Sequence, residues 1–123
     1  MIVPPVSHYM TYNPYAIGSG ELVSAARALM AAHRIHHLPV VDGDVLVGIL
    51  SEDDVTGAAA DGRIGDAMTR DVATVTATAR LDEVVALMTA GRFGSVVITG
   101  ERGVEGIFTL CDALRAFGEF LAA

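Results

Sequence analysis

Four consecutive residues carry chemistry at the end of an apolar run. VGIL is followed by Ser51, Glu52, Asp53 and Asp54, a hydroxyl and three carboxylates. The Ser-x-x-Asp spacing supports two readings. In the first, Ser51 caps a helix and Asp54 reaches back from the N3 position, as in a capping box, with the acids favoured by the positive end of the helix dipole. In the second, the serine hydroxyl and the helix N-terminus receive a phosphate while Asp54 accepts hydrogen bonds from a ribose. The stretch alone leaves both open.

Other reactive groups are few. HRIHH holds His33, His36 and His37 together with Arg34, the one place where cationic potential gathers. Imidazoles are good zinc ligands, but adjacent strand residues point to opposite faces, so His36 and His37 do not easily share a metal. His33 falls on an apolar helical stripe and is expected to face the core. No metal site is assigned. Cys111 sits in the first turn of a helix, where a thiol pKa can fall; packing is the simpler role. No set of nucleophile, base and orienting group emerges, so no catalytic residues and no enzyme activity are expected.

Bulk properties narrow the classes further. The 123 residues suffice for one ordinary domain or two very small ones sharing a core. No apolar run reaches the roughly 18 residues of a membrane span, and the N-terminus MIVPPVSHYM has no basic n-region or long h-region. A single cysteine forms no internal disulfide, which fits a cytoplasmic home. The net charge is −7, and all eight basic residues are arginine. That balance argues against nucleic acid, whose binding draws on basic side chains; no membrane or nucleic-acid partner is expected.

The elements that position these residues recur. A shift of 58 places Met10-Thr11 on Met68-Thr69, Ala28-Leu29-Met30 on Ala86-Leu87-Met88, Arg34 on Arg92, Gly48-Ile49 on Gly106-Ile107 and Asp54 on Asp112. Ser51 falls on Thr109, so Gly-x-x-[Ser/Thr]-x-x-Asp appears twice. Each copy reads as β-α-β-β-α. In the first, a short strand is expected around Tyr15 to Ile17, then a helix from Glu21 to Arg34 with Leu22, Ala25, Ala26, Leu29, Met30 and His33 on one stripe. HHLPVV and VLVGIL form a strand pair around Asp42-Gly43-Asp44, and a helix starts at Ser51. The second copy predicts strands at Ala73 to Thr76, Ser95 to Thr99 and Val104 to Phe108, with helices near Arg80 to Ala90 and on to about Leu121. GAAADGR, Gly57 to Arg63, reads as the linker, with Ala58 to Ala60 as a candidate extension of the preceding helix. The division is 1–60 and 61–123, and the fold class is α+β.

MTYNP, ALMAAHRIHHLPVVDGDVLVGILSEDDV, IGDAMTRDVATV, ALMTAGRFGSVVI and GIFTLCDAL together resemble a tandem pair of CBS domains, a Bateman module, over roughly Val6 to Phe117. The resemblance implies two β-α-β-β-α repeats packed as a pseudo-twofold pair. It also implies two clefts that bind adenosine-containing ligands: AMP, ADP, ATP or S-adenosylmethionine, as regulatory ligands rather than cofactors. By resemblance, Asp54 and Asp112 hold ribose hydroxyls, and Ser51 and Thr109 meet phosphate. Gly48 and Gly106 sit where the strand approaches the ligand closely, and Ile17 and Val75 pack on adenine. His36 and His37 fall where the family faces the phosphates, and Leu38 and Pro39, with Gly94 and Ser95 in the second copy, are further ligand-binding positions.

The sequence departs from the family pattern in places. Asp53 and Cys111 stand where the family often has a basic residue beside the phosphate, which counts against polyphosphates. Val96-Val97 and Gly100 replace Leu38-Pro39 and Asp42, and Gly94-Ser95 replace the histidine pair, so the two clefts are not expected to be equivalent. Two functions follow. One is a stand-alone regulatory module that binds adenosine-type ligands and signals to an effector protein in trans. The other is a structural dimerisation or docking module with degenerate clefts. A homodimer is expected through apolar helical faces.

Overall fold

The computed structural model describes residues 2–123. After a 3₁₀ turn at Val6–His8 come β1 (Thr11–Tyr12), α1 (Val23–His33), β2 (His37–Asp42), β3 (Val45–Ser51), α2 (Glu52–Thr56) and α3 (Ile64–Ala67). Then follow β4 (Thr74–Val75), α4 (Leu81–Gly91), β5 (Ser95–Gly100), β6 (Gly103–Thr109) and α5 (Leu110–Ala122). The fold is α+β, and each copy centres on one antiparallel hairpin, β2–β3 or β5–β6. Both hairpins shift register at equivalent points, between Val40 and Val41 and between Ile98 and Thr99. In the first, Gly43 takes a φ of 61° in the turn, a left-handed conformation that costs glycine little.

Each hairpin gains an edge on both sides. In the second copy the sheet order is β1-β6-β5-β4, with Thr11 opposite Ile107 and Val75 parallel to Ile98. In the first copy the same pairings shrink to single bridges, Thr69 with Ile49 and Ile17 with Val40. The Met-Thr segment that precedes each copy in sequence therefore pairs with the hairpin of the other. Accordingly the compact units are Pro14–Val72 on one side and Met1–Asn13 with Ala73–Ala123 on the other, offset from the sequence division at 60/61.

The expected strand at Tyr15 to Ile17 is one bridging residue. Its continuation is claimed by side chains: the Gly18 amide donates to Glu21 Oε2 at 2.8 Å and the Ser19 amide to Asp42 Oδ1 at 2.9 Å. Helix α1 buries Val23, Ala26 and Met30, a face rotated by about one position from the expected stripe. His33 is correspondingly exposed rather than core-facing, and its ring stacks on Tyr15 at 3.9 Å between centroids. Residues 57–63 do not extend α2, which ends at the Gly57 cap. Instead the Ala60 and Gly62 carbonyls accept from the Ser24 and Val23 amides and so cap α1.

Each unit has its own core. Leu38, Val40 and Leu50 of the first hairpin pack with Ile17, Val23, Met30, Val55 and Ile64. Val96, Ile98 and Phe108 of the second pack with Val6, Met10, Val84 and Met88. Alternation along the strands sends these side chains inward.

Candidate functional site

The end of β3 positions the first copy's polar cluster. Pairing of His37 with Ser51 ends the ladder where the chain turns into α2. There Ser51 and Asp54 form a complete capping box: the Ser51 amide donates to Asp54 Oδ2 at 2.9 Å, and the Asp54 amide donates to Ser51 Oγ at 3.1 Å. The Glu52 amide donates to the His36 carbonyl at 2.9 Å. Two of the three first-turn amides are thus committed within the chain, which reduces what the helix end can offer an anion.

The charge around this box is negative. Glu52, Asp53 and Asp54 all lie in the first turn, and the His36 ring pairs with the Glu52 carboxylate. His37 is held below the ordinary histidine range, chiefly by burial and also by the neighbouring His36; Asp54, Asp53 and Glu52 pull the other way. At neutral pH the His37 ring is therefore uncharged. Asp54 Oδ2 is engaged by the Ser51 amide, and the second carboxylate oxygen is the natural acceptor for an incoming hydroxyl.

The second copy repeats the device with different surroundings. The amide and hydroxyl of Thr109 donate to Asp112 Oδ2 at 2.9 and 3.2 Å. Arg115 Nη2 lies 3.6 Å from Asp112 Oδ1, donates to the Tyr9 carbonyl at 2.9 Å and stands 5.3 Å from the Tyr9 ring centroid. The Gly94 carbonyl accepts from the Leu110 amide at 3.2 Å, and buried Ser95 pairs with Thr109 across the ladder. Where the first copy has Asp53 and a histidine pair, this one has Cys111, Gly94 and Ser95, so its polar edge is the less negative of the two. Sequence reading missed Arg115, although its i, i+3 spacing from Asp112 was a signal that could have found it. Tyr9 and the His36–Glu52 pairing left no such signal, because both depend on contacts between distant segments.

The remaining expected site residues fall into two groups. Gly48 and Gly106 are close-approach positions, and chain segments occupy them. A Cβ on Gly48 would meet Met68 Sδ at 2.6 Å and the Thr69 carbonyl oxygen at 3.0 Å; on Gly106 it would meet Met10 Sδ at 2.7 Å and the Thr11 oxygen at 2.9 Å. Leu38 and Pro39 are fully buried, and the Pro39 carbonyl accepts from the Ile17 amide at 3.1 Å. Ile17 is 6% exposed and belongs to the first core, whereas half-buried Val75 packs against the second. The structure therefore brings His36, His37, Ser51 and Asp54 together at one strand end and Gly94, Ser95, Thr109 and Asp112 at another. Leu38, Pro39 and Ile17 present little side-chain surface beyond the core.

Open concavities lie on the helical side of each unit. One of about 420 Å³ is bordered by Arg27, Met30, Arg34, Ile35, Glu52 and Val55. Another, of about 290 Å³, is bordered by the equivalents Val85, Met88, Arg92, Phe93, Leu110 and Ala113. His33 stacks on Tyr15 and His36 pairs with Glu52, and no three His, Cys, Asp or Glu side chains gather in ligating positions among the described residues. No helix among them is long and apolar enough to cross a membrane.

A duplicated hairpin-and-helix unit with a Gly-x-x-[Ser/Thr]-x-x-Asp turn defines a protein class. The chain belongs to the CBS-domain family, whose model matches it twice, over residues 6–61 and 64–119. Among solved structures it is similar to a CBS domain pair in complex with 5′-methylthioadenosine and S-adenosyl-L-methionine. That match has a TM-score of 0.90 and 30% identity, and covers 96% of this chain and 98% of that one. It is also similar to the cytosolic domain of the Mg²⁺ channel MgtE in complex with ATP, with a TM-score of 0.81 and 25% identity over 92% of this chain and 48% of the other. Among curated proteins, inosine-5′-monophosphate dehydrogenase of Nitrosopumilus maritimus is 34% identical over 84% of this chain and 22% of its own length. The L-aspartate semialdehyde sulfurtransferase of Methanocaldococcus jannaschii is 32% identical over 92% of this chain and 23% of its own length. The chain thus spans less than a quarter of the length of these relatives.

Proposed function

We propose that this chain is a regulatory module that binds an adenosine-containing small molecule at its capping-box edges and, as a homodimer, signals occupancy to an effector protein in trans. The observation that carries this reading is the likeness, over nearly the whole of both chains, to a CBS pair solved with methylthioadenosine and S-adenosylmethionine. In the proposed complex the second carboxylate oxygens of Asp54 and Asp112, the latter beside Arg115, accept ribose hydroxyls, bonds strengthened by the carboxylate charge. Ser51 and Thr109 set the position of each carboxylate through the amide bonds already formed.

Local charge selects among adenosine ligands. Three carboxylates beside an uncharged His37 disfavour a polyphosphate in the first copy, since each added negative charge meets like charge at short range. A ligand without phosphate, such as S-adenosylmethionine or a nucleoside thioether, fits that edge. The second copy, with Arg115 beside Asp112, tolerates a monophosphate better. No chemical step is part of the proposal: each carboxylate is held by the amide of its helix cap and would hold a ligand, and the signal is limited to the difference in ligand affinity between two states of the module.

A thermal-shift series with S-adenosylmethionine, methylthioadenosine, AMP, ADP and ATP tests the reading. Ligand at 100 times its dissociation constant adds about 2.7 kcal/mol to stability, so at least one adenosyl compound should raise the melting temperature clearly, with ATP the weakest. A second reading, a docking module that binds no ligand, is favoured by one observation: in both copies the aspartate carboxylate is already engaged by the cap residue within the chain. No shift with any of the five would favour it.

A further inference from the structure

The two capping-box aspartates differ in what surrounds them. Asp54 Oδ2 accepts from the Ser51 amide, and no ion pair reaches this carboxylate among the described residues. Asp112 is engaged through both oxygens: Oδ2 accepts from the amide and hydroxyl of Thr109 at 2.9 and 3.2 Å, and Oδ1 lies 3.6 Å from Arg115 Nη2. The last distance is that of an ion pair rather than a hydrogen bond. Any group that hydrogen-bonds Oδ1 therefore lies close to the guanidinium.

Arg115 is held beside Asp112 from a second side. Its Nη2 donates to the Tyr9 carbonyl at 2.9 Å, and its guanidinium stands 5.3 Å from the Tyr9 ring centroid, a cation–π contact. A solvated arginine would otherwise spread over many rotamers. The offset of 58 sets Gly57 opposite Arg115 and Ala67 opposite Tyr9. The cation and its anchor are thus present together in the second copy and absent together from the first. The cap does not require them, since Ser51 and Asp54 close the same box without either.

This difference bears on which ligands each copy holds. A carboxylate beside a guanidinium has part of its charge offset, so a ribose hydroxyl gains less from it and competes with the cation for Oδ1. A phosphate changes the balance, because the planar guanidinium fork pairs well with phosphate oxygens. The side chain is 54% exposed, against 15% for Asp112, so it is the partner free to move. We infer that Arg115 is a specificity-determining residue of the second copy: it occupies Asp112 against phosphate-free adenosine compounds and yields it to those whose phosphate draws the guanidinium away. The inference rests on the adenosine-binding reading proposed above and adds a gate to one of its two edges.

Nuclear magnetic resonance titration of the full chain, following the Thr109 amide, reads the second copy alone; the Ser51 amide reads the first. AMP and methylthioadenosine share the adenosine and differ in the phosphate. Arg115→Gln keeps a donor for the Tyr9 carbonyl and removes the charge. At the second copy it should raise methylthioadenosine affinity about 3-fold and lower AMP affinity about 3-fold, the scale of an exposed ion pair, so that their ratio shifts roughly 10-fold. A merely structural role would weaken both ligands together. Gly57→Arg is the reciprocal variant: φ of −82° and a nearest atom at 3.5 Å accept a side chain, and the first copy's preference should move toward AMP. An unchanged ratio in Arg115→Gln, both ligands weakened alike, or a second copy silent in wild type and variant while the first responds would overturn the inference and leave the proposed function standing. If Arg115→Gln fails to fold, an unchanged first-copy ratio in Gly57→Arg would do the same. A wild type that binds neither compound at either copy would overturn the proposed function and the inference with it.

Discussion

Ser51 and Asp54 cap each other: the serine amide donates to Asp54 Oδ2 at 2.9 Å, and the aspartate amide donates to Ser51 Oγ at 3.1 Å. The pair is needed for the fold of this turn whether or not a ligand arrives. Ser51→Ala should therefore cost about 1 kcal/mol, lowering the melting temperature by about 4 °C. Asp54→Asn keeps an acceptor and should cost less. Thermal unfolding of the two variants checks the order; equal losses would mean that the carboxylate charge, not the acceptor, holds the turn.

The exchange of Met-Thr segments makes a second prediction. Gly48→Ala and Gly106→Ala push a methyl toward Met68 and Met10, and against the Thr69 and Thr11 carbonyls of the neighbouring edge segment. Methionine can yield, but a paired backbone carbonyl yields little, so each change should cost about 1–3 kcal/mol. Gly20→Ala is the control, with nothing within 4 Å of its added methyl, and should stay within about 0.5 kcal/mol of wild type. Denaturant unfolding in which all three variants behave alike would contradict the close approach.

His37 gives a pH dependence of definite sign. Its folded-state pKa is lowered from 6.5, first by burial and then by His36. The unfolded chain therefore binds more protons just below pH 6.5, so this contribution is present in full above that value and is lost as the pH falls toward the depressed pKa. The melting temperature should drop between pH 7.5 and 5.5, and His37→Gln should flatten part of that slope. A phosphate-bearing ligand facing the ring would favour imidazolium instead, so its affinity should rise as the pH falls from about 8 to 6.5. An unchanged slope in the variant would remove His37 from this balance.

Much of the architecture was legible because it is local and duplicated. One offset of 58 aligned both hairpins, both helix starts and both Ser/Thr-x-x-Asp turns, and each of these depends on residues close in sequence. The exchanged edges were not legible, since a two-residue strand such as Thr11–Tyr12 has no periodicity of its own and is defined only by pairing with Ile107 and Gly106. His33 was misplaced for a related reason. The expected stripe and the buried face share Ala26 and Met30; in an alanine-rich helix a small rotation changes the hydropathy little, and burial of Val23 rather than Leu22 and Ala25 leaves His33 outside. At the candidate site, position was readable but surroundings were not: Gly48 was read as a close approach to a ligand, while the atoms that a side chain there would meet belong to Met68 and Thr69, about 20 residues away.

The most direct test of the proposed function is calorimetric titration of S-adenosylmethionine into the wild-type chain, Asp54→Asn and Asp112→Asn. Loss of a charge-assisted hydrogen-bond pair to ribose is worth roughly 1.5–3 kcal/mol, about 10- to 150-fold in affinity at the altered copy. The account predicts saturable binding to wild type, loss of this size in Asp54→Asn, and a smaller change in Asp112→Asn, with native melting behaviour retained in both. Binding that is absent from the wild type, or equal in all three proteins, would contradict it and leave Ser-x-x-Asp as a helix cap in both copies.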